Sequence, residues 1–319
     1  MKNKIILITG IAGFIGFSFA KKLLSNNHYV LGIDNLDNYY SVKLKNKRLN
    51  KLNKFRKFKF IKMNIENYSE FKKISLKNID HIFHFAAQAG VRYSAINPDK
   101  YIKTNILGTI NLLSFAIKNK PKSTFFASSS SVYGDSKNFP LKETNKLYPK
   151  NIYATSKVIN EITAKSFSKN YNMKIFGLRF FTVYGQWGRP DMLLFKLFRC
   201  SLTKKTLELN NNGNHYRDFT HINDVVEILY ALMNKKINKT FDVYNVCSNK
   251  PQNIKKIIKS FKNKISDLKI KNIPKNKLDV FKTHGDNKKI SKLLNYKEYT
   301  NFENGLKQVF EWYKKKIKN

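Results

Sequence analysis

A chain of 319 residues, 42% of them hydrophobic and 14% aromatic, can bury a sizeable core, which excludes a disordered polymer. Its formal net charge of +40 would suit nucleic acid or an anionic membrane surface, but the lysines are scattered along the whole chain. Only short runs occur (Lys21-Lys22, Lys255-Lys256, Lys314 to Lys316), so the charge reads as a compositional bias that welcomes small anionic ligands; no nucleic acid and no membrane partner is expected.

Lys4 to Thr9 is an apolar run of the kind buried on both faces of a sheet, Gly10 to Gly16 is a glycine-rich turn, and Phe14 to Ser25 reads as a helix. The same stretch has the outline of a secretion leader, with a basic start and uncharged Ile5 to Ala20. Against that, its glycines recur every third residue, and Lys21-Lys22 stands where a small-residue cleavage site would fall. A leader is therefore not expected. Tyr29 to Asp34 predicts a second strand, followed by strands at Phe58 to Met63, Ile79 to Ala86, Ser123 to Ser128 and Lys174 to Phe180. Helical patterns fill the gaps, notably Tyr101 to Lys118 and Ala154 to Asn170. Such alternation predicts an α/β fold with a doubly wound parallel sheet over residues 1–180. Beyond about residue 180 the alternation loosens. Helical stretches (Leu193 to Ser201, Ile222 to Met233, Ile254 to Phe261) and a short strand at Tyr244 to Cys247 predict a smaller α/β substrate-binding lobe over 181–319, interleaved with the first domain.

Cys200 and Cys247 are far apart, and the six histidines form no metal motif. No disulfide framework and no metal is expected, and a reducing cytoplasm suits the chain. His81 and His84, three apart on a strand, point to opposite faces and read as structural.

Gly10, Gly13 and Gly16 follow a strand and open a helix, the context a dinucleotide fingerprint requires. One glycine makes the tight turn, one lets backbone amides reach the pyrophosphate, and one lets helix and strand pack closely. Phe14 and Ile15 complete the turn, where a helix N-terminus favours an anion. Asp34 ends the second strand, placed for the adenosine ribose, with Asn35 beside it. A carboxylate there repels a 2′-phosphate, so NAD is expected and the sheet is of the Rossmann type.

Tyr153 and Lys157 lie four apart on one helix face, where a cation favours the phenolate and equips the tyrosine as a base. The spacing alone says little, because Tyr39/Lys43, Tyr68/Lys72 and Tyr133/Lys137 share it. Context singles out Tyr153. Pro149 precedes it, a long helix follows, and the serine run Ser128 to Ser131 sits upstream at the carboxyl end of a strand, where parallel sheets bind ligands.

These motifs together resemble the nucleotide-sugar epimerases and dehydratases of the extended short-chain dehydrogenase/reductase kind. The stretches His84 to Ser94, Gly177 to Asp191 and Arg217 to Asp224 are similar to those of UDP-glucuronate 4-epimerases. The resemblance implies that Tyr153 is the base, Lys157 holds tyrosine and nicotinamide ribose, and Ser129 relays the proton. It further implies that Ser130 contacts the sugar, that Phe85, Ala86 and Ala87 line the cofactor, and that Asn105 sits near it. Arg217 is expected on the UDP diphosphate, and Arg92 and Arg189 on a C6 carboxylate, with surface or diphosphate roles as the other reading. Thr182 follows the uronate pattern. Asn64-Ile65 replaces the Asp-Ile with which relatives often hold adenine, and a further phosphate arginine has no clear match near Asp279 to Asp286. Dehydratases carry an acid directly after the relaying hydroxyl; here Ser130 and Ser131 stand there, which favours epimerisation. The reading is C4 epimerisation of UDP-glucuronate to UDP-galacturonate by a homodimer. Left open are a UDP-glucose or UDP-N-acetylglucosamine 4-epimerase and a non-catalytic NAD-binding regulator.

Overall fold

The computed structural model describes residues 3–76, 78–264 and 268–317. The first six strands are β1 (Ile5–Thr9), β2 (Tyr29–Asp34), β3 (Phe58–Lys62), β4 (His81–His84), β5 (Ser123–Ser129) and β6 (Ile175–Phe180). They are followed by β7 (Thr182–Tyr184), β8 (Leu207–Asn210), β9 (Tyr216–His221) and β10 (Phe241–Val246). A parallel seven-stranded sheet runs in the order β10-β6-β5-β4-β1-β2-β3. The strand order reverses between β1 and β4, so a crevice opens at their carboxyl ends, which is where doubly wound sheets bind ligands. β10 enters this sheet from the second half of the chain, with Val246 opposite Phe180. β7 and β9 form a separate small sheet with Pro251–Asn253, and β8 pairs with Ile270–Ile273.

Ile6, Leu7 and Ile8 of β1 are all fully buried, as a strand covered on both faces requires. Helix α1 (Phe14–Ser25) buries Phe17, Phe19, Ala20 and Leu23 against the sheet and the Ile222–Asn234 helix. Each such Phe or Leu contributes about 1.5–3 kcal/mol. Helix α2 (Val42–Leu52) packs alongside α1. Among the described residues no helix is long and apolar enough to cross a membrane, and no group of His, Cys, Asp or Glu could hold a metal ion.

The helix expected over Tyr101 to Lys118 is not continuous. A short turn at Pro98–Tyr101 passes into a π-helical stretch, Ile102–Leu107, and regular helix resumes at Gly108–Asn119. The cause is local. Asn105 turns inward to bond the backbone of Gln88, and Thr109 Oγ1 donates to the Asn105 carbonyl. Gly108 allows a close approach, since a Cβ there would lie 2.7 Å from Ile65. The strand expected over Ile79 to Ala86 is confined to His81–His84, and Phe85 to Ala87 run on as cavity wall.

Candidate active site

The glycine-rich turn is built as its spacing predicted. Gly10 has φ +71°, and a Cβ on it would lie 2.7 Å from the Ala86 amide; a Cβ on Gly16 would lie 2.3 Å from the Gly10 carbonyl. Gly13 is the N-cap of α1 and provides no side-chain cap, leaving first-turn N–H groups for a ligand. Asp34 is buried, accepting from Ala12 N (3.0 Å) and Leu36 N (2.8 Å). Burial raises its pKa, opposed chiefly by the Lys45 ammonium. Lys45, whose Nζ donates to the Asp37 carbonyl at 2.6 Å, lines the same cavity. Sequence reasoning missed it because one lysine among so many carries no signal.

A single cavity of about 430 Å³ runs from this turn to Tyr153 and Lys157. Gly10, Gly13, Phe14, Ile15, Gly16, Asp34, Asn35, Asn64, Ile65, Phe85, Ala86 and Ala87 line it, together with Ser129, Ser130, Tyr153, Lys157, Thr182 and Arg189. Asn105 does not. It lies fully buried behind the wall, bonded to Gln88 and donating to Ser156 Oγ at 3.0 Å on the helix that carries Tyr153. Arg92 and Arg217 do not line the cavity either. Arg92 follows the lining residue Val91 and pairs with Asp279 at 2.7 Å, while Arg217 donates to the carbonyls of Tyr216 and Phe281. These two arginines and Asp279 interact electrostatically and form a second cluster outside the cavity wall.

The helix that carries Tyr153 and Lys157, Ile152–Tyr171, starts at Asn151, whose side chain caps Ala154 N at 2.9 Å. This places Tyr153 and Lys157 in the cavity beside the end of β5. Lys157 Nζ donates to the Ala127 carbonyl at 2.8 Å, and burial lowers its pKa to about 8. Burial raises the pKa of Tyr153, against which a hydrogen bond with Ser129 and the charge of Arg189 pull it down. Lys157 Nζ, bonded to the Ala127 carbonyl, also lies over the Tyr153 ring at 5.9 Å from its centroid, and Arg189 adds a further cation whose charge acts on the tyrosine. Ser129 Oγ also donates to Ser131 Oγ at 3.1 Å. Tyr133, one of the rival Tyr/Lys pairs, is structural: it is buried and donates to Asn245 at 2.7 Å beside the buried Arg179–Glu161 ion pair.

Arg189 enters from the loop after β7. Its Nε and Nη2 meet the two Asp191 carboxylate oxygens at 3.0 and 2.5 Å. Burial would lower its pKa, but the Asp191 carboxylate outweighs that and holds it higher. Tyr39 lies beneath the guanidinium and donates to Asp191 at 3.4 Å. Among the described residues lining the cavity, only Asp34 and Asp37 are acidic, and both flank the second strand, away from the serine run.

The family model described as GDP-mannose 4,6 dehydratase matches residues 7–309. The chain belongs to the NAD-dependent epimerase/dehydratase family. Within the family it is 36% identical over 317 residues to a UDP-glucuronate 4-epimerase of Thermodesulfobacterium geofontis, covering 98% of this chain and 96% of the relative. The crystal structure of UDP-glucuronic acid 4-epimerase from Bacillus cereus, in complex with UDP-glucuronic acid and NAD, superposes with TM-score 0.90 at 30% identity, covering 98% and 99% of the two chains. The UDP-glucose 4-epimerase of Thermotoga maritima, solved with UDP-glucose, gives TM-score 0.89 at 30% identity, covering 98% and 99%. The seven-stranded sheet and its flanking helices are thus the architecture of these epimerases.

Proposed function

We propose that this protein inverts C4 of UDP-glucuronate to give UDP-galacturonate. The observation that carries the reading is one cavity that joins a dinucleotide cradle to Tyr153, Ser129 and an arginine, with serines and no acidic residue directly after Ser129. The residues present fit NAD. The close-packed glycines, the uncapped α1 terminus and buried Asp34 would hold its pyrophosphate and ribose, and Asp34 disfavours a 2′-phosphate. Bound there, NAD supplies the acceptor of the C4 hydride and its return.

The chain's own residues supply the rest. Tyr153 takes the C4 hydroxyl proton through Ser129, with the Arg189 charge favouring the phenolate. Lys157 orients nicotinamide ribose and tyrosine. The 4-keto sugar then turns about its diphosphate linkage to present its other face, and Tyr153 returns the proton. Ser130 and Thr182 contact the sugar, and Arg189 faces the C6 carboxylate. Arg217, with Arg92 beside it, takes the diphosphate from the second cluster. Asn105 acts behind the cofactor wall, through Gln88 and Ser156. Dehydration would need an acid where Ser130 and Ser131 stand, so reduction is the path left to the ketone.

A cytoplasmic homodimer belongs to the same reading. Ile102, Leu107 and Ile162 are exposed on two neighbouring helical segments that pack together, and form an apolar face for a second copy. A UDP-hexose substrate is the second reading, favoured by the equal likeness to the UDP-glucose enzyme. The test is proton NMR of UDP-glucuronate incubated with purified protein and no added NAD. UDP-galacturonate should appear. No conversion with NAD added, and conversion of UDP-glucose instead, would replace the substrate.

A further inference from the structure

The structure assigns to Arg48 a positioning role: it ties the dinucleotide turn to the loop that aims Arg189, and so sets selection for a carboxylated sugar. This rests on the proposed contact between Arg189 and the C6 carboxylate. Arg48 lies on α2, outside the cavity wall, and is fully buried. Its Nη1 donates to the Ala12 carbonyl at 2.7 Å and to Tyr40 Oη at 2.8 Å. Its Nη2 donates to the carbonyls of Trp187 at 2.5 Å and Gly188 at 3.4 Å. Ala12 belongs to the glycine-rich turn, and Trp187 and Gly188 directly precede Arg189. One planar guanidinium therefore spans the two ligand sites, which only arginine's fork geometry allows.

The arrangement is not what a plain fold staple would need. Arg48 is a buried cation with no carboxylate among its bonded partners, and its Nε is buried without any partner. Such a group is costly to bury and persists where its geometry serves a site. Trp187 also has φ +66°, a left-handed backbone that a bulky side chain adopts only when its surroundings hold it there. Those surroundings are the Arg48 bond to its carbonyl, Phe17 of α1 and Trp312 of the Phe302–Ile317 helix, each at 5.5 Å between ring centroids, and Lys51 and Lys316 over its ring at 5.5 and 5.3 Å. The loop from which Arg189 and Asp191 project is thus held from both α2 and the C-terminal helix, and Arg48 is the member that ties it to the dinucleotide turn. Losing a charge-assisted contact at a recognition site costs roughly 10–100-fold in affinity.

The experiment measures affinities of UDP-glucuronate, UDP-glucose and UDP for the dinucleotide-loaded enzyme and its Arg48→Met, Arg48→Lys and Arg189→Ala variants, with thermal unfolding as a control. Arg48→Met should weaken UDP-glucuronate by about 10–100-fold, to the level of UDP-glucose, and leave UDP unchanged. Arg48→Lys, which can reach one side of the bridge, should recover part of that loss. If Arg189→Ala leaves UDP-glucuronate affinity intact, the reading of Arg189 itself falls. If Arg189→Ala weakens it while folded Arg48→Met binds as wild type, or loses all three ligands equally, the positioning role falls alone. Should Arg48→Met not fold, Arg48→Lys decides on the same terms.

Discussion

Acidification should unfasten this protein through His84, and the size of the effect follows from its hydrogen bonds. Thr109 Oγ1 gives its proton to the Asn105 carbonyl, so it can only accept from His84 Nε2 at 3.1 Å. His84 Nδ1 then accepts from Thr9 Oγ1 at 2.7 Å. Both nitrogens are occupied by the neutral ring, and burial, with a small contribution from the Lys157 charge, lowers the folded pKa to about 3. The unfolded chain takes up a proton below about pH 6.5, which the native state refuses until about pH 3, so stability falls as pH falls through that window. Between about pH 6.5 and pH 5 this is about 1.5 pH units, or roughly 2 kcal/mol, from His84 alone. The cost reaches function, because the same network holds Ala86 through Thr9 and the catalytic helix through Asn105 and Ser156. Urea unfolding of wild type and His84→Gln at about pH 7.5 and about pH 5 measures it. Wild type should lose about 2 kcal/mol more than the variant on going to the lower pH. Parallel losses in the two proteins would refute the assignment.

Tyr153→Phe should lower kcat by about 10²–10⁴-fold while retained dinucleotide, read by absorbance after denaturation, stays at the wild-type level. Gly16→Ala should abolish dinucleotide retention, because its Cβ would lie 2.3 Å from the Gly10 carbonyl; retention near the wild-type level would contradict the cradle. Lys157→Met should inactivate the enzyme yet raise the Tm of the dinucleotide-free protein below about pH 8. The buried ammonium has a folded pKa of about 8, so the native state resists the proton that the unfolded lysine holds up to about 10.5, and removing the charge relieves that penalty. An unchanged or lower Tm would show that the bond to Ala127 outweighs it.

Much of the sheet and of the cofactor cradle was readable because both rest on local rules. Strand runs such as Ile5 to Thr9 must be apolar on both faces, and close approaches at Gly10 and Gly16 tolerate no Cβ. What was not readable depends on contacts distant in sequence. Nothing in the stretch from Tyr101 to Lys118 announces a π-helical break, because its cause is the bond from Asn105 to Gln88. Arg48 gave no signal either, since the carbonyls it bridges lie 36 and 139 residues away in the chain. Lys45 was hidden by the abundance of lysine, and Arg92 by its neighbour: Val91 lines the cavity, while Arg92 turns outward to Asp279.

The charge that governs Tyr153 bears on the order of events. Burial dominates at Tyr153 and favours the phenol, opposed by the Ser129 hydrogen bond and the Arg189 charge. Arg189 is itself neutralised by a bidentate bond to Asp191, which weakens its pull. A substrate carboxylate that took the place of Asp191 on Arg189 would neutralise the guanidinium just as well, so it would not strengthen that pull. A positively charged ring beside the tyrosine, which the oxidised dinucleotide would bring, would add to it with any sugar. Deprotonation of Tyr153 is thus most favourable once the dinucleotide is in place, so the base is formed in the complex rather than beforehand.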